Sequence, residues 1–246
     1  MKNLREAKGW PLDHEHDCAT ARALLWLNNK THPLGRLRDV YQAFRSLSGY
    51  RSQIGQDSFV DRYFSRERGL TFLEAGAHDG VHLSNTYFLE MTRGWTGCCI
   101  EPSPQTFPSL VQNRQSASCT CLNIALDSTE GEASYTMARE LGGLTHRFHP
   151  RHLSRVLSIS GGEVTTRTKT LAEVLKFLGM AKISYLSLDT EGSELDILQG
   201  VGDWDRFLFD LIGVENNYGN SVGQFLQQRG YRYVTTRGLD EFYEHK

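Results

Sequence analysis

Long apolar runs are missing from this sequence. No stretch approaches the ~18 residues that a helix needs to cross a bilayer, and the opening MKNLREAKGW lacks the apolar core of a secretory signal. Patterned cysteine is missing too: the five residues Cys18, Cys98, Cys99, Cys119 and Cys121 are odd in number and contain no CxxC pair. Four of them fall in strand-like segments, where cysteine serves as a small hydrophobe, so free thiols in a reducing compartment are expected. Nor is there an excess of one charge. With 27 Lys and Arg against 29 Asp and Glu the formal net charge is -2, which argues against a strongly basic nucleic-acid binder. Arg36, Arg38 and Arg45 read as a solvated helix face. A mix of 39% hydrophobic and 23% charged residues points away from disorder, collagen-like repeats and coiled coils. These absences together lead to the expectation of a soluble, cytoplasmic enzyme with neither membrane nor nucleic acid as partner.

What is present fits one α/β domain with an extension, since 246 residues are too few for two full-sized domains. From about Asp17 to Leu47 apolar residues recur at helical spacing, broken by Pro33 and Gly35. Residues 1–50 are therefore expected as a helical extension and 51–246 as the main domain. There, short apolar runs (Thr71 to Ala75, Gly97 to Ile100, Thr120 to Ala125, Ser184 to Leu188, Leu211 to Val214) alternate with amphipathic helices (His82 to Thr92, Pro104 to Asn113, Leu171 to Leu178, Ser193 to Gly200, Val222 to Arg229). Such alternation implies a parallel sheet covered on both faces. Tyr231 to Thr235 and Glu241 to Glu244 flank a Gly238-Leu239-Asp240 turn and close it with an antiparallel hairpin. The fold expected is Rossmann-like, with a seven-stranded, mostly parallel sheet. Residues 127–170 break the rhythm and carry five glycines; they read as an insertion that folds over the site as a lid and shapes an acceptor pocket.

The segment FLEAGAHDG ends the first strand in Glu74 and turns through Gly76, Ala77, His78, Asp79 and Gly80. Glycines there permit close backbone approach to a ligand at the carboxyl end of a strand, where open α/β sheets bind nucleotides. The pattern is ExGxxxG rather than GxGxxG, and Glu74 and Asp79 place acid where a pyrophosphate would sit. S-adenosylmethionine (SAM) has no phosphate and carries an ammonium and a sulfonium, so the charges favour it over a dinucleotide. Glu101 follows Gly80 by 21 positions, in CCIEPSP, where a carboxylate can accept both ribose hydroxyl protons. A plain glycine turn with surface acids explains the loop but not Glu101, which with Pro102 and Ser103 completes the ribose segment. Ala125 and Leu126 border adenine or simply pack in the core. The loop backbone and Asn85 are expected at the methionine end, with Gln53 or Gln56 closing over it.

These segments resemble the FkbM family of methyltransferases from about Ser52 to Asn217: SQIGQD, FLEAGAHDG, IEPSP, NIALDSTEGEASY, TKTLAEVL, LSLDTEGSELDILQG and IGVEN, with DTEGSELDILQG the most specific. The resemblance implies a class I methyltransferase, generally O-methylating hydroxyls of sugars, polyketides or other secondary metabolites. Glu74 stands where aspartate is more usual, which keeps the charge, and the segment up to Tyr50 lies outside the resemblance.

A hydroxyl needs a base or a metal to weaken its proton. Asp189 ends the fourth main strand, Glu191 and Glu194 follow it, and Glu215-Asn216-Asn217 ends the fifth. Asp189, Glu215 and Asn216 form an oxygen set suited to Mg²⁺ or another hard divalent cation, an arrangement resembled by metal-dependent methyltransferases of catechols. Alternatively Asp189 or Glu191 is a direct general base without metal. His146, His149 and His152 recur every third residue and read as a polar surface segment. The expected function is SAM-dependent O-methylation of a saccharide or other small-molecule hydroxyl. N-methylation, nucleic-acid methylation and a catalytically silent SAM-binding module are the alternatives, although no Asn-Pro-Pro-Tyr-like motif or Lys-Asp-Lys-Glu signature is present.

Overall fold

Strands buried on both faces recur through the chain after residue 70, and they assemble as such strands must, in parallel beneath helices. A computed structural model describes residues 48–116, 118–216 and 219–246. The helical extension expected over residues 1–50 lies outside the described residues but for its last three, as do Cys18, the Arg36, Arg38 and Arg45 cluster, and Asn217.

In chain order the elements are α1 (Gln56–Tyr63), β1 (Thr71–Ala75), α2 (Tyr87–Arg93), β2 (Thr96–Ile100), α3 (Phe107–Asn113), β3 (Cys119–Leu122), β4 (Ala125–Leu126), β5 (Gly131–Thr136) and β6 (Gly143–Leu144). Then come α4 (Pro150–Ile159), β7 (Glu163–Lys169), α5 (Leu171–Leu178), β8 (Lys182–Leu188), α6 (Glu194–Gln199), β9 (Leu208–Glu215), α7 (Ser221–Gln227), β10 (Tyr231–Arg237) and β11 (Asp240–His245). Among the described residues seven strands form the main sheet in the order β3-β2-β1-β8-β9-β11-β10. Only β11 runs against its neighbours, so the sheet is Rossmann-like with a terminal antiparallel hairpin. No helix among these residues is long and apolar enough to cross a membrane.

Strand alternation divides the core. Leu73 lies beside Cys98 and Leu186, and Ala75 beside Ile100 and Leu188, on one face. Phe72, Cys99, Tyr185, Leu211 and Phe242 pack on the other, and Glu74 points the same way. Helix α5 runs over the residues its pattern indicated because both ends are sealed: the Thr170 hydroxyl accepts from the Glu173 N–H at 3.2 Å, and Gly179 turns left-handed at φ 67°.

Three expectations need correction. The helix placed from His82 starts only at Tyr87, because Ser84, Asn85 and Thr86 are bent back by hydrogen bonds to Glu74. The strand expected from Thr120 to Ala125 breaks in two, and its second piece, β4, leaves the main sheet to pair with β7. The interval expected as an irregular insertion is ordered: β4-β7-β5-β6 form a second sheet, with α4 between β6 and β7. Its strands are rich in Thr, Ser, Glu and Arg, so they carry little apolar alternation.

A buried carboxylate within an apolar layer requires a partner. For Glu74 it is Arg114, 1% exposed. The guanidinium donates to the Gly80 carbonyl at 2.7 Å, to Ser84 Oγ at 2.7 Å and to Thr86 Oγ1 at 3.0 Å, lies 3.4 Å from Glu74 Oε2, and bonds Glu90. Removing one partner from such a cluster strands the charges that remain. Arg114→Met is expected to lower the urea-unfolding free energy by about 3–5 kcal/mol. A loss under ~1 kcal/mol would mean that Arg114 is dispensable to the loop after β1.

Candidate active site

The carboxyl ends of β1, β2 and β8 are laced together before any ligand is considered. Gly76 and Ala77 donate to the Ile100 carbonyl, and Asp189 donates to the Ala75 carbonyl, each at 3.1 Å. Gly76 has φ 84°, and a Cβ there would lie 1.8 Å from the Asp189 carbonyl oxygen. Gly80 has φ 78°, and its Cβ would meet Leu110 at 2.7 Å and Arg114 at 2.9 Å. Both glycines are thus required by the protein's own packing, and Gly76 also borders the cavity described below.

The two acids of the loop are engaged by the loop's own donors. Glu74 accepts from Ser84 Oγ at 3.0 Å, the Asn85 N–H at 2.6 Å and Thr86 Oγ1 at 2.6 Å. Asp79 Oδ1 accepts the N–H groups of Val81 and His82 at 2.9 and 2.7 Å. These hydrogen bonds hold the turn.

Glu101 is different. It is 4% exposed, and the N–H groups of His78 and Ser103 hold its two oxygens at 2.9 and 2.8 Å. His78 reaches it from a left-handed backbone at φ 49°, a strained conformation of the kind that clusters at functional sites. Burial pushes the Glu101 carboxyl up to about 7, against the pull of those N–H groups and of Tyr135.

These groups line a cavity that encloses about 850 Å³ of empty space, counting its open mouth. Gly76, Ala77, His78, Asn85, Glu101, Pro102, Ala125, Leu126 and Asp189 border it, as does Glu74. Tyr135, Arg139, Glu140, Gly142, Gly143 and Leu144 of the interval form another wall, and Thr190 and Ser193 complete it. Three polar atoms of the residues lining it are buried without a hydrogen-bond partner: His78 Nδ1, Asn85 Oδ1 and Ser193 Oγ. The other side of the Asn85 amide donates to Ser187 Oγ at 3.0 Å.

Several expected site residues are not brought to the cavity. Gln56 donates to Asp240 Oδ2 at 2.9 Å and accepts from the Ile54 N–H at 2.9 Å, so it braces the β10–β11 turn. Asp79, Gly80 and Ser103 stand behind the lining. Asn216 Nδ2 donates to Glu241 Oε2 at 3.0 Å. Glu191 lies with the two expected acids: carboxylate oxygens of Asp189, Glu191 and Glu215 are all within 4.8 Å of one another. Burial, then Glu215 and Asp240, holds the Asp189 carboxyl well above its ordinary range. Burial, then Asp189 and Glu194, pushes Glu191 up to about 8.

The three histidines separate. His146 Nε2 faces Asp127 at 3.3 Å from a half-exposed position, and His149 Nδ1 caps α4 by accepting from the Arg151 N–H at 3.2 Å. His152, expected at the surface, is buried with Nε2 3.2 Å from Glu191 Oε2. Arg114 carried no spacing signal, because Glu74, Ser84 and Glu90, its partners, come from distant parts of the chain.

The sequence matches the methyltransferase FkbM domain over residues 74–233. The chain belongs to the FkbM methyltransferase family. Among solved structures, this FkbM protein is similar to methyltransferase FkbM from Methylobacillus flagellatus KT, with 12% identity, 72% of this chain and 44% of that one covered, and a TM-score of 0.45. It is also similar to precorrin-6y C5,15-methyltransferase from Geobacter metallireducens GS-15 (10% identity, 77% and 87% covered, TM-score 0.44) and to a TehB-like SAM-dependent methyltransferase from Corynebacterium glutamicum ATCC 13032 Kitasato (13%, 85% and 97%, TM-score 0.41). The chain spans less than half of the first of these, 44% of its length. No curated protein sequence matches it.

Glu101 gives the FkbM protein a testable pH signature. Its folded pKa near 7 lies above the ordinary 4.5, so the folded state binds the proton more tightly. The associated stability, of order 3 kcal/mol, is full below about pH 4.5 and lost as pH rises through 7. Glu191 and Asp240, pushed up to about 8 and 7 by burial, act with the same sign. Calorimetric melting between pH 5 and 8 should therefore show a falling Tm, with a shallower fall in Glu101→Gln; an unchanged slope in that variant contradicts the assignment.

Proposed function

We propose that this chain is a SAM-dependent O-methyltransferase whose acceptor is a hydroxyl of a saccharide or another small polyhydroxylated metabolite. One observation carries the reading: Glu101, fixed by two backbone N–H groups, and the unpartnered Asn85 Oδ1 border one cavity. The remaining acceptor capacity of Glu101 suits a ribose diol, and an amide oxygen without a donor suits an ammonium. Ala125 and Leu126 give an apolar border for adenine.

When bound, SAM supplies an electrophilic methyl group on its sulfonium. The protein's task is then to hold an acceptor oxygen in line and to take its proton. Asp189 lines the cavity, and its raised affinity for protons makes it a stronger base than an ordinary carboxylate. The acceptor O–H proton passes to the Asp189 carboxylate in this reading. Tyr135, Leu144 and their neighbours exclude water from the opposite side.

A second reading is favoured by the clustering of Asp189, Glu191 and Glu215, an all-oxygen set of the kind that holds Mg²⁺. Under it, Glu191 takes the place assigned from sequence to Asn216.

Titration calorimetry is expected to show binding of SAM and not of NAD, with SAM affinity reduced about tenfold or more in Asn85→Ala and in Glu101→Gln. Binding of NAD alone overturns the reading. Methyl transfer over a panel of hydroxylated acceptors, assayed with EDTA and then with added Mg²⁺, separates the two chemistries: restoration by the ion supports the metal, and indifference to chelator leaves Asp189 as direct base.

A further inference from the structure

Ser193 stands at the start of α6, where a serine ordinarily caps the helix by accepting from its first N–H groups. Here it makes no such bond. The residue is 1% exposed, its hydroxyl has no hydrogen-bond partner, and it lines the cavity. A buried hydroxyl in that condition is destabilising unless something arrives to satisfy it.

The polar groups around it are already engaged. Glu191 and Gly192 turn left-handed, at φ 59° and 125°. The turn directs Thr190 N, Thr190 Oγ1 and Gly192 N onto Glu194 Oε1 at 2.9, 3.0 and 3.2 Å. Glu194 has taken over the work of closing this turn, and Ser193 is released from it.

Packing shows which side of the site the hydroxyl serves. A Cβ on Gly143 would lie 3.2 Å from the Thr190 carbonyl, and one on Gly192 would lie 2.6 Å from the Arg147 carbonyl. The 190–193 turn is thus pressed against the second sheet's segment, on the Asp189 side of the cavity. The groups suited to the cofactor, Glu101 and Asn85, belong to the loops after β2 and β1. A hydroxyl both donates and accepts, which matches a neutral hydroxyl of an acceptor better than the ammonium or carboxylate of SAM.

We propose that Ser193 positions the acceptor by hydrogen bonding a second hydroxyl beside the one whose proton Asp189 takes, so that the preferred substrate carries a vicinal diol. This rests on the methyltransferase reading above. Ser193 is then a specificity-determining residue.

The test uses the whole chain and S-adenosylhomocysteine. Absence of S-adenosylhomocysteine binding in the wild type defeats the methyltransferase reading itself. Given binding, Ser193→Ala is expected to keep the wild-type affinity and to melt, without ligand, at the same temperature or higher. Saturated with S-adenosylhomocysteine, the wild type is then titrated by saturation-transfer NMR with methyl glucoside, galactoside, mannoside and rhamnoside and with their monodeoxy analogues. At least one glycoside should bind about tenfold better than a deoxy analogue, and Ser193→Ala should erase that difference. The proposal fails if the variant loses S-adenosylhomocysteine affinity by about tenfold, since the hydroxyl then belongs to the cofactor. It fails equally if the ligand-free variant melts lower, if no glycoside binds, or if the discrimination survives the substitution.

Discussion

A guanidinium almost without solvent exposure sits where β1, α2 and α3 meet, and the shape of the site follows from it. Arg114 gathers the carboxylates of Glu74 and Glu90, two hydroxyls and the Gly80 carbonyl. Without it, two carboxylates would face an apolar layer that includes Phe72, Leu89 and Leu110. With it, the turn after β1 is satisfied from inside, and its backbone is fixed before any ligand binds. The cluster also explains why unpartnered atoms stand out. Where most buried polar groups have partners, His78 Nδ1, Asn85 Oδ1 and Ser193 Oγ mark the places left for something else.

The second sheet changes how the two sides of the cavity relate. Its first strand, β4, contributes Ala125 and Leu126 to the border proposed for adenine, and it pairs with β7 at the far end of the interval. Tyr135 from β5 reaches the surroundings of Glu101, and His152 from α4 reaches Glu191. Arg147 forks between Asp127 and Asp196 at 2.6 and 2.7 Å and fastens the interval to α6. The interval lines one wall of the cavity, and its two ends are joined to each other where β4 pairs with β7.

The main sheet was legible because its inner strands are buried on both faces, and because α5 is sealed at both ends by Thr170 and Gly179. Glu101 was legible through its spacing from the glycine loop. The polar strands of the second sheet were not, because Glu163–Lys169 carries only one hydrophobic residue, Val164, on which a period-two pattern could rest. Gln56 was misread because its partner, Asp240, lies 184 residues away in sequence. Asn216 Nδ2 likewise donates to Glu241 on the closing hairpin. Side-chain type told what these residues can bond to, and only the fold decides which partner reaches them first.

The contact between Gly76 and Asp189 bears on what variation the site tolerates. The carbonyl of the residue that carries the proposed base occupies the space where a side chain at position 76 would begin. One backbone joint therefore serves as hinge pin for the ligand loop and the acid together, and neither can be displaced alone. Changes of substrate in this architecture have to be written elsewhere, in the wall of the second sheet and in the turn after β8, while this joint stays the same.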